Sequence, residues 1–176
     1  ELQRVLWDDP LMLLYMGYLK THDLCAYDKK WNFESMHKGF QDAAEKLKTV
    51  PLNGGSGDMV LAKCLVDAVL SKMDYADAML KAYPSENRRE AVSALLLMAV
   101  DYQKKLAAFA DAHHAMWKRH NKPFGLESIQ IRLAGQMARA QELVERLQEF
   151  AAGRTNVIPE MEDLMTVMKD LDIQWG

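Results

Sequence analysis

Arg132 and Arg139 stand seven residues apart in an otherwise aliphatic segment, with Gly135 between them. Seven residues is close to two helical turns, so on a helix both guanidinium groups project from one face. A pair of guanidinium forks so placed can grip a carboxylate or phosphate through paired N–H donors. The seam of Leu133, Met137 and Ala140 lies one residue on, roughly 100° round the helix, so the arginines flank a core. Charge beside a core is tolerated only when paired. The favoured expectation is therefore structural: both arginines pair with acids or helix-end carbonyls, and loss of Arg132 lowers the melting temperature. Gly135 leaves no side chain between them and lets another backbone come close.

Other groups that could do chemistry lack partners in the sequence. Glu34 and His37 have the i, i+3 spacing of di-iron bundles, but such a site needs a second copy and two further glutamates. The nearest second copy is Asp111 with His114, an Asp in place of Glu, so neither metal nor cofactor is expected. His113 falls on an apolar seam without a relay partner and reads as a neutral core histidine. GGSG at 54–57 lacks the preceding strand and following lysine of a phosphate loop, and no GxSxG or HExxH occurs. Asp8 and Asp9 are adjacent and cannot flank a substrate as an acid/base pair must.

The bulk numbers exclude further classes. The net charge is −3 with no Lys/Arg-rich run, which is not the footprint of a nucleic-acid binder. The longest apolar run, Leu11 to Leu19, is far shorter than the roughly 20 residues of a membrane span. The two cysteines, Cys25 and Cys64, form no CxxC pair and read as reduced thiols. The 176 residues suggest one domain over 1–176, and with no targeting signal a cytoplasmic setting is expected.

Helical periodicity dominates the elements that must position these residues. The first helix is expected from Pro10 to about Lys20, capped by Asp8 or Asp9. A second runs from about Trp31 to Thr49, and PLNGGSG at 51–57 reads as a loop. The third, about Asp58 to Ala82, carries Leu61, Leu65, Ala68, Ala76 and Met79. Ser85 is placed to cap a long fourth helix, about Glu86 to His120, with a seam through Leu95, Tyr102, Leu106 and Phe109. NKPFG turns the chain into a fifth helix, about Leu126 to Ala152, and a short last helix starts near Pro159. The spacing thus predicts an all-α, mainly antiparallel bundle of about five to six helices without a sheet, centred on the third, fourth and fifth.

LWDDPL at 6–11 and HAMWKRHNKPFGLESIQIRLAGQMAR at 114–139 together resemble the C-terminal helical domain of bacterial family-20 glycoside hydrolases. These are β-N-acetylhexosaminidases of the exo-acting glucosaminidase type. Their pattern is a tryptophan, a short basic stretch, N-[KR]-P-F-G-x-E, then an aliphatic helix with R-x-G-G and a second arginine. Trp117, Asn121, Lys122, Pro123, Phe124, Gly125, Glu127, Arg132, Gly135 and Arg139 fall on it, and Ala134 replaces the first glycine of the pair. KMDYADAMLKAY at 72–83 is similar to a KADLGxRLRxAY stretch of the same domain. The likeness spans about residues 5–155.

The resemblance implies a preceding TIM-barrel catalytic domain, whose Asp-Glu pair orients the substrate's acetamido group and protonates the leaving oxygen. A barrel alone needs about 250 residues, so this chain by itself should not hydrolyse glycosides. The implied role is a non-catalytic accessory domain for packing, oligomerisation or the substrate-site rim. The alternative is a stand-alone helical bundle that binds a metal or a partner helix. The chain begins with Glu1 rather than Met, which fits a C-terminal piece of a longer enzyme. The first helix is apolar on every face. Trp7, Leu13, Tyr15 and Met16 are therefore expected to meet the barrel or a second copy, because monomers seldom leave patches beyond roughly 300–600 Å² uncovered.

Overall fold

The computed structural model describes residues 2–22, 24–26, 29–50 and 57–175. The loop expected over PLNGGSG lies, up to Ser56, outside the described residues, as does the Cys25 side chain. The elements run α1 (Leu2–Trp7), α2 (Leu14–Thr21), β1 (Leu24–Ala26), β2 (Lys29–Trp31), α3 (Phe33–Leu47), α4 (Gly57–Ala82), α5 (Arg88–Ser93), α6 (Leu96–His120), α7 (Leu126–Ala151) and α8 (Pro159–Trp175). The fold is an all-α bundle, and α4, α6 and α7 are its centre, as the periodicity indicated. Side chains set the directions. Gln103 bonds Gln141 while His114 bonds Gln130, so α6 and α7 are antiparallel. Lys72 lies over the Tyr102 ring while Asp58 faces His120, so α4 and α6 are antiparallel too.

Three expectations need correction. The absence of a sheet does not hold: β1 and β2 form an antiparallel pair in register Leu24↔Trp31, Cys25↔Lys30 and Ala26↔Lys29. Strands of three residues are too short to show an alternating pattern. The long fourth helix is two helices, broken at Ala94 and Leu95. Ser93 Oγ donates to the Arg89 carbonyl at 2.5 Å, which competes with the helix ladder. Arg89 in turn reaches the carbonyls of Phe150 and Thr155, tying α5 to the segment that leads into α8. Ser85 does not cap this unit. Its hydroxyl donates back to Ala82, and Asn87 holds the N-cap position.

The third correction concerns the first helix, which does not start at Pro10. α1 and α2 flank a turn over residues 8–13, made by the two aspartates. Asp9 Oδ1 accepts from the backbone N–H of Leu11 (2.8 Å) and Met12 (3.0 Å). Asp8 accepts from Tyr15 and Met16 at 3.1 Å each, so it caps α2 from six residues upstream of Leu14. These are donors that a helix start leaves open. Leu13 closes the turn in the left-handed region, φ 48°.

Leu13 and Met16 are completely buried in the chain's own core. They are not the exposed interface residues expected, because α2 packs against α1, α3, α4 and α8 of the same chain. A Cβ at Gly17 would lie 3.1 Å from Met168 Sδ and 3.2 Å from Leu164 Cδ1, so the glycine admits this close approach. Tyr15 and Trp7 are half-buried. No described helix is long and apolar enough to cross a membrane.

Candidate functional site

The residues singled out from the sequence gather into three connected pieces: a polar lock, a rigid turn and an open helix face. The lock forms where α1 and its following turn lie across α4 and α7. Arg139 donates from Nε to Asp9 Oδ2 at 2.6 Å and from Nη2 to Asp9 Oδ1 at 3.2 Å, a two-point grip. Its Nη1 bonds Glu142 on the same helix. Burial opposes ionisation of Asp9, but the Arg139 hydrogen bond, two backbone amides and the Arg139 charge outweigh it and hold the carboxyl below its ordinary range. LWDDPL and the second arginine, distant in sequence, are thus one contact in space.

Behind this pair sits Lys72 of α4, fully buried. Its Nζ donates to the carbonyls of Val5 (3.1 Å), Leu6 (3.0 Å) and Asp8, satisfying acceptors that the end of α1 leaves open. Gln136 of α7 joins in, with Nε2 donating to the Trp7 carbonyl at 3.1 Å. Burial pushes the Lys72 ammonium down to about 8, against the opposing charges of Asp8 and Asp9. Burial likewise raises the Asp8 carboxyl, outweighing its amide partners and Lys72. Sequence reasoning missed Lys72, although the signal was present. The α4 seam Leu65, Ala68, Ala76, Met79 skips one helical step at 72, and a lysine fills it.

The turn between α6 and α7 is held by its own side chains. Trp117 Nε1 donates to the Lys122 carbonyl at 2.9 Å, and Glu127 Oε2 accepts from Gly125 N–H at 2.9 Å. Asn121 ends α6 in an extended conformation, its N–H bonded to the Trp117 carbonyl. Gly125 takes φ +90°, where L side chains are strained, and a Cβ there would meet the Trp117 ring at 3.6 Å. Lys122 and Pro123 are exposed, and the turn projects Phe124 at 86% exposure.

The open face is the first half of α7. Between 126 and 139 only Leu133 is buried, whereas Ala140, Leu143, Val144, Leu147 and Phe150 bury the second half. Ile131 is 72% exposed, and Met137, expected in the core seam, is exposed as well. Arg132 is exposed and, among the described residues, has neither ion pair nor hydrogen bond. The expected pairing therefore holds for Arg139 and not for Arg132. Gly135 has nothing within 4 Å of an added Cβ, so packing inside this chain does not require a glycine. Trp7, Ile131, Arg132, Gly135, Gln136 and Arg139 line a shallow groove of about 420 Å³.

The remaining candidates have structural partners. Glu34 pairs with Lys20 at 2.7 Å, and His37 Nε2 meets Asp74 Oδ1 at 2.6 Å. His113 packs between Phe109 and Trp117, and burial followed by the neighbouring His114 lowers its pKa. No group of three or more His, Cys, Asp or Glu able to hold a metal occurs among the described residues. Among curated proteins no match to the chain is found. The model of one protein family, described as the Glycoside Hydrolase 20C C-terminal domain, matches residues 3–172. That match takes in the lock, the turn and the open face together, and the chain belongs to this family of glycoside hydrolase C-terminal domains.

Proposed function

We propose that this chain is a non-catalytic accessory domain of a β-N-acetylhexosaminidase, docked on the enzyme's TIM-barrel domain through the open face of α7 and the Phe124 turn. Residues 1–176 are then one helical domain of a longer polypeptide. The observation that carries this reading is the outward placement of Phe124, Ile131, Arg132 and Gly135, none of which the domain's own packing uses. Core residues explain themselves by burial, whereas an exposed apolar patch rimmed by polar groups marks a contact with another surface. Trp117, Asn121, Gly125 and Glu127 serve by fixing the turn, and Arg139 by fixing α1 beside the groove. The lock makes Trp7 part of the same surface, with α1 and α7 held as one rigid edge.

Family membership supports the glycosidase setting, since such domains are named for their place at the C-terminus of the enzyme. The test uses the full-length enzyme. Ile131→Asp combined with Phe124→Asp is expected to separate one cooperative thermal transition into two, one per domain. It should also reduce turnover of a chromogenic N-acetylhexosaminide, while helix content stays unchanged. A single transition and full activity in the double variant would overturn the docking reading.

A further inference from the structure

Resting on that docking reading, we infer that the catalytic domain meets α7 with a carboxylate seated on the Arg132 guanidinium and with a stretch of its backbone passing over Gly135. The two halves of α7 differ in charge. From Ser128 to Ala140 the helix carries Arg132 and Arg139 and no acid, whereas the following turns carry Glu142, Glu145 and Glu149. Arg139 is engaged by Asp9 and Glu142. Arg146, further along, stands within 3.6–3.7 Å of Glu149 and Glu142. Arg132 alone of the three α7 arginines has no carboxylate supplied from within the described residues.

Its surroundings suit a partner rather than water. Exposed Ile131 precedes it, and the half-buried Trp7 and the bare Gly135 share its groove. Once a second surface covers Ile131 and Trp7, water leaves and the guanidinium must be paired, because an unpaired buried charge is strongly unfavourable. A carboxylate matches the planar fork with two parallel hydrogen bonds. Gly135 adds a steric condition. A helical glycine is less favourable than alanine, and with open space around its Cβ position nothing in this chain offsets that cost. A backbone of another segment lying against it does. The occupant is therefore a segment of the catalytic domain that carries an Asp or Glu and runs close to α7, not a free anion.

The experiment uses the full-length enzyme with Arg132→Glu, Arg132→Lys and Gly135→Leu, each read by calorimetry and by hydrogen exchange of both domains. Arg132→Glu is expected to split the thermal transition, and Arg132→Lys, which keeps the charge without the fork, to split it less. Exchange protection lost from the barrel in Arg132→Glu identifies the facing segment. Replacing its one carboxylate by arginine, in the Arg132→Glu background, is expected to restore a single transition. If Arg132→Glu is silent while Gly135→Leu and Ile131→Asp uncouple the domains, the carboxylate inference fails and docking stands. If all of them are silent, both fail. Uncoupling that no single charge exchange on the barrel repairs, or that inorganic phosphate reproduces by competition in the native enzyme, also overturns the inference. So does sedimentation showing that Arg132→Glu dissociates a dimer without uncoupling domains within one chain.

Discussion

Replacing Lys72 by methionine tests whether the lock holds the start of the chain. The substitution keeps length and apolar bulk but removes an ammonium that donates to three carbonyls, those of Val5, Leu6 and Asp8. Hydrogen bonds from a charged donor contribute about 1.5–3 kcal/mol each, a gross loss of roughly 4–9 kcal/mol. Against this stands the relief of no longer burying the ion. The fall from the ordinary 10.5 to about 8 corresponds to roughly 3 kcal/mol at about 1.36 kcal/mol per pKa unit. The lost hydrogen bonds win, and the net destabilisation is about 1–5 kcal/mol. A protein of this size loses roughly 2–4 °C in Tm per kcal/mol, so Lys72→Met should melt about 10 °C lower.

The same lysine gives a pH signature. Between pH of about 8 and 10.5 the unfolded chain still holds the proton while the folded chain has released it. The unfolded state then binds more protons, so this group's contribution to stability rises with pH across that window. Chemical denaturation of wild type and Lys72→Met at pH 7 and pH 9.5 reads the effect as a difference, in which the other titrating groups cancel. The gap between the two proteins should widen at the higher pH. An unchanged Tm in Lys72→Met, or a gap that narrows as pH rises, would refute the account of Lys72 as a buried cap on α1.

The remaining predictions concern single contrasts within the motif. Arg139→Ala should destabilise the chain by about 1–3 kcal/mol, since it leaves Asp9 half-buried without its main partner, and Arg132→Ala should stay within about 0.5 kcal/mol; urea titration of both settles it. Gly125→Ala forces a side chain to φ +90° and should cost about 1 kcal/mol or more, whereas Gly135→Ala in a helix with open space should stabilise this chain by about 0.5–1 kcal/mol. Asp9→Asn should cost stability at pH 7 and progressively less as pH falls below the ordinary carboxylate range. The depressed Asp9 carboxyl contributes stability above the ordinary carboxylate pKa that is lost as pH falls through its lowered folded value, and acid denaturation of the two proteins measures it.

Long helices with regular seams were legible in the sequence. The C-terminal ends at 82, 120 and 151 are followed within two residues by proline, asparagine or glycine, and those signals mark them, whereas the start of α6 at Leu96 carries none and the expected helix ran through it from about Glu86. The beginning of the chain was misread because Asp8, Asp9 and Pro10 satisfy the rules for a helix start while also offering carboxylates for a tighter turn. Local rules do not decide between these. The choice is made by Lys72 and Arg139, more than sixty and a hundred residues away, which fix the turn from outside. Burial of Leu13 and Met16 was invisible for a similar reason, since α2 packs against α3, α4 and α8, elements more distant in the chain, and Gly17 admits α8 from near its far end.

The fates of Arg132 and Arg139 show why equal spacing gives unequal roles. Both sit on one side of α7, two turns apart, and neither position alone says whether a partner is near. The difference is the reach of the turn over residues 8–13. It brings Asp9 within 2.6 Å of Arg139, and Trp7 and the Gln136 contact mark the edge of what α1 covers. One turn further toward the start of α7 no described element packs on this face of the helix, and Ile131, Arg132 and Gly135 are left open together. A single helix thereby holds its own domain with one half and presents a surface with the other. The two halves are coupled through Gln136 and Arg139, so a disturbance of the lock should move Trp7 and alter the groove. On the proposed docking, Lys72→Met is accordingly expected to weaken coupling between the domains of the full-length protein, even though Lys72 touches no outer surface. If Lys72→Met lowers the stability of this domain but leaves coupling intact, α1 is a stabilising strap only and takes no part in the docking surface.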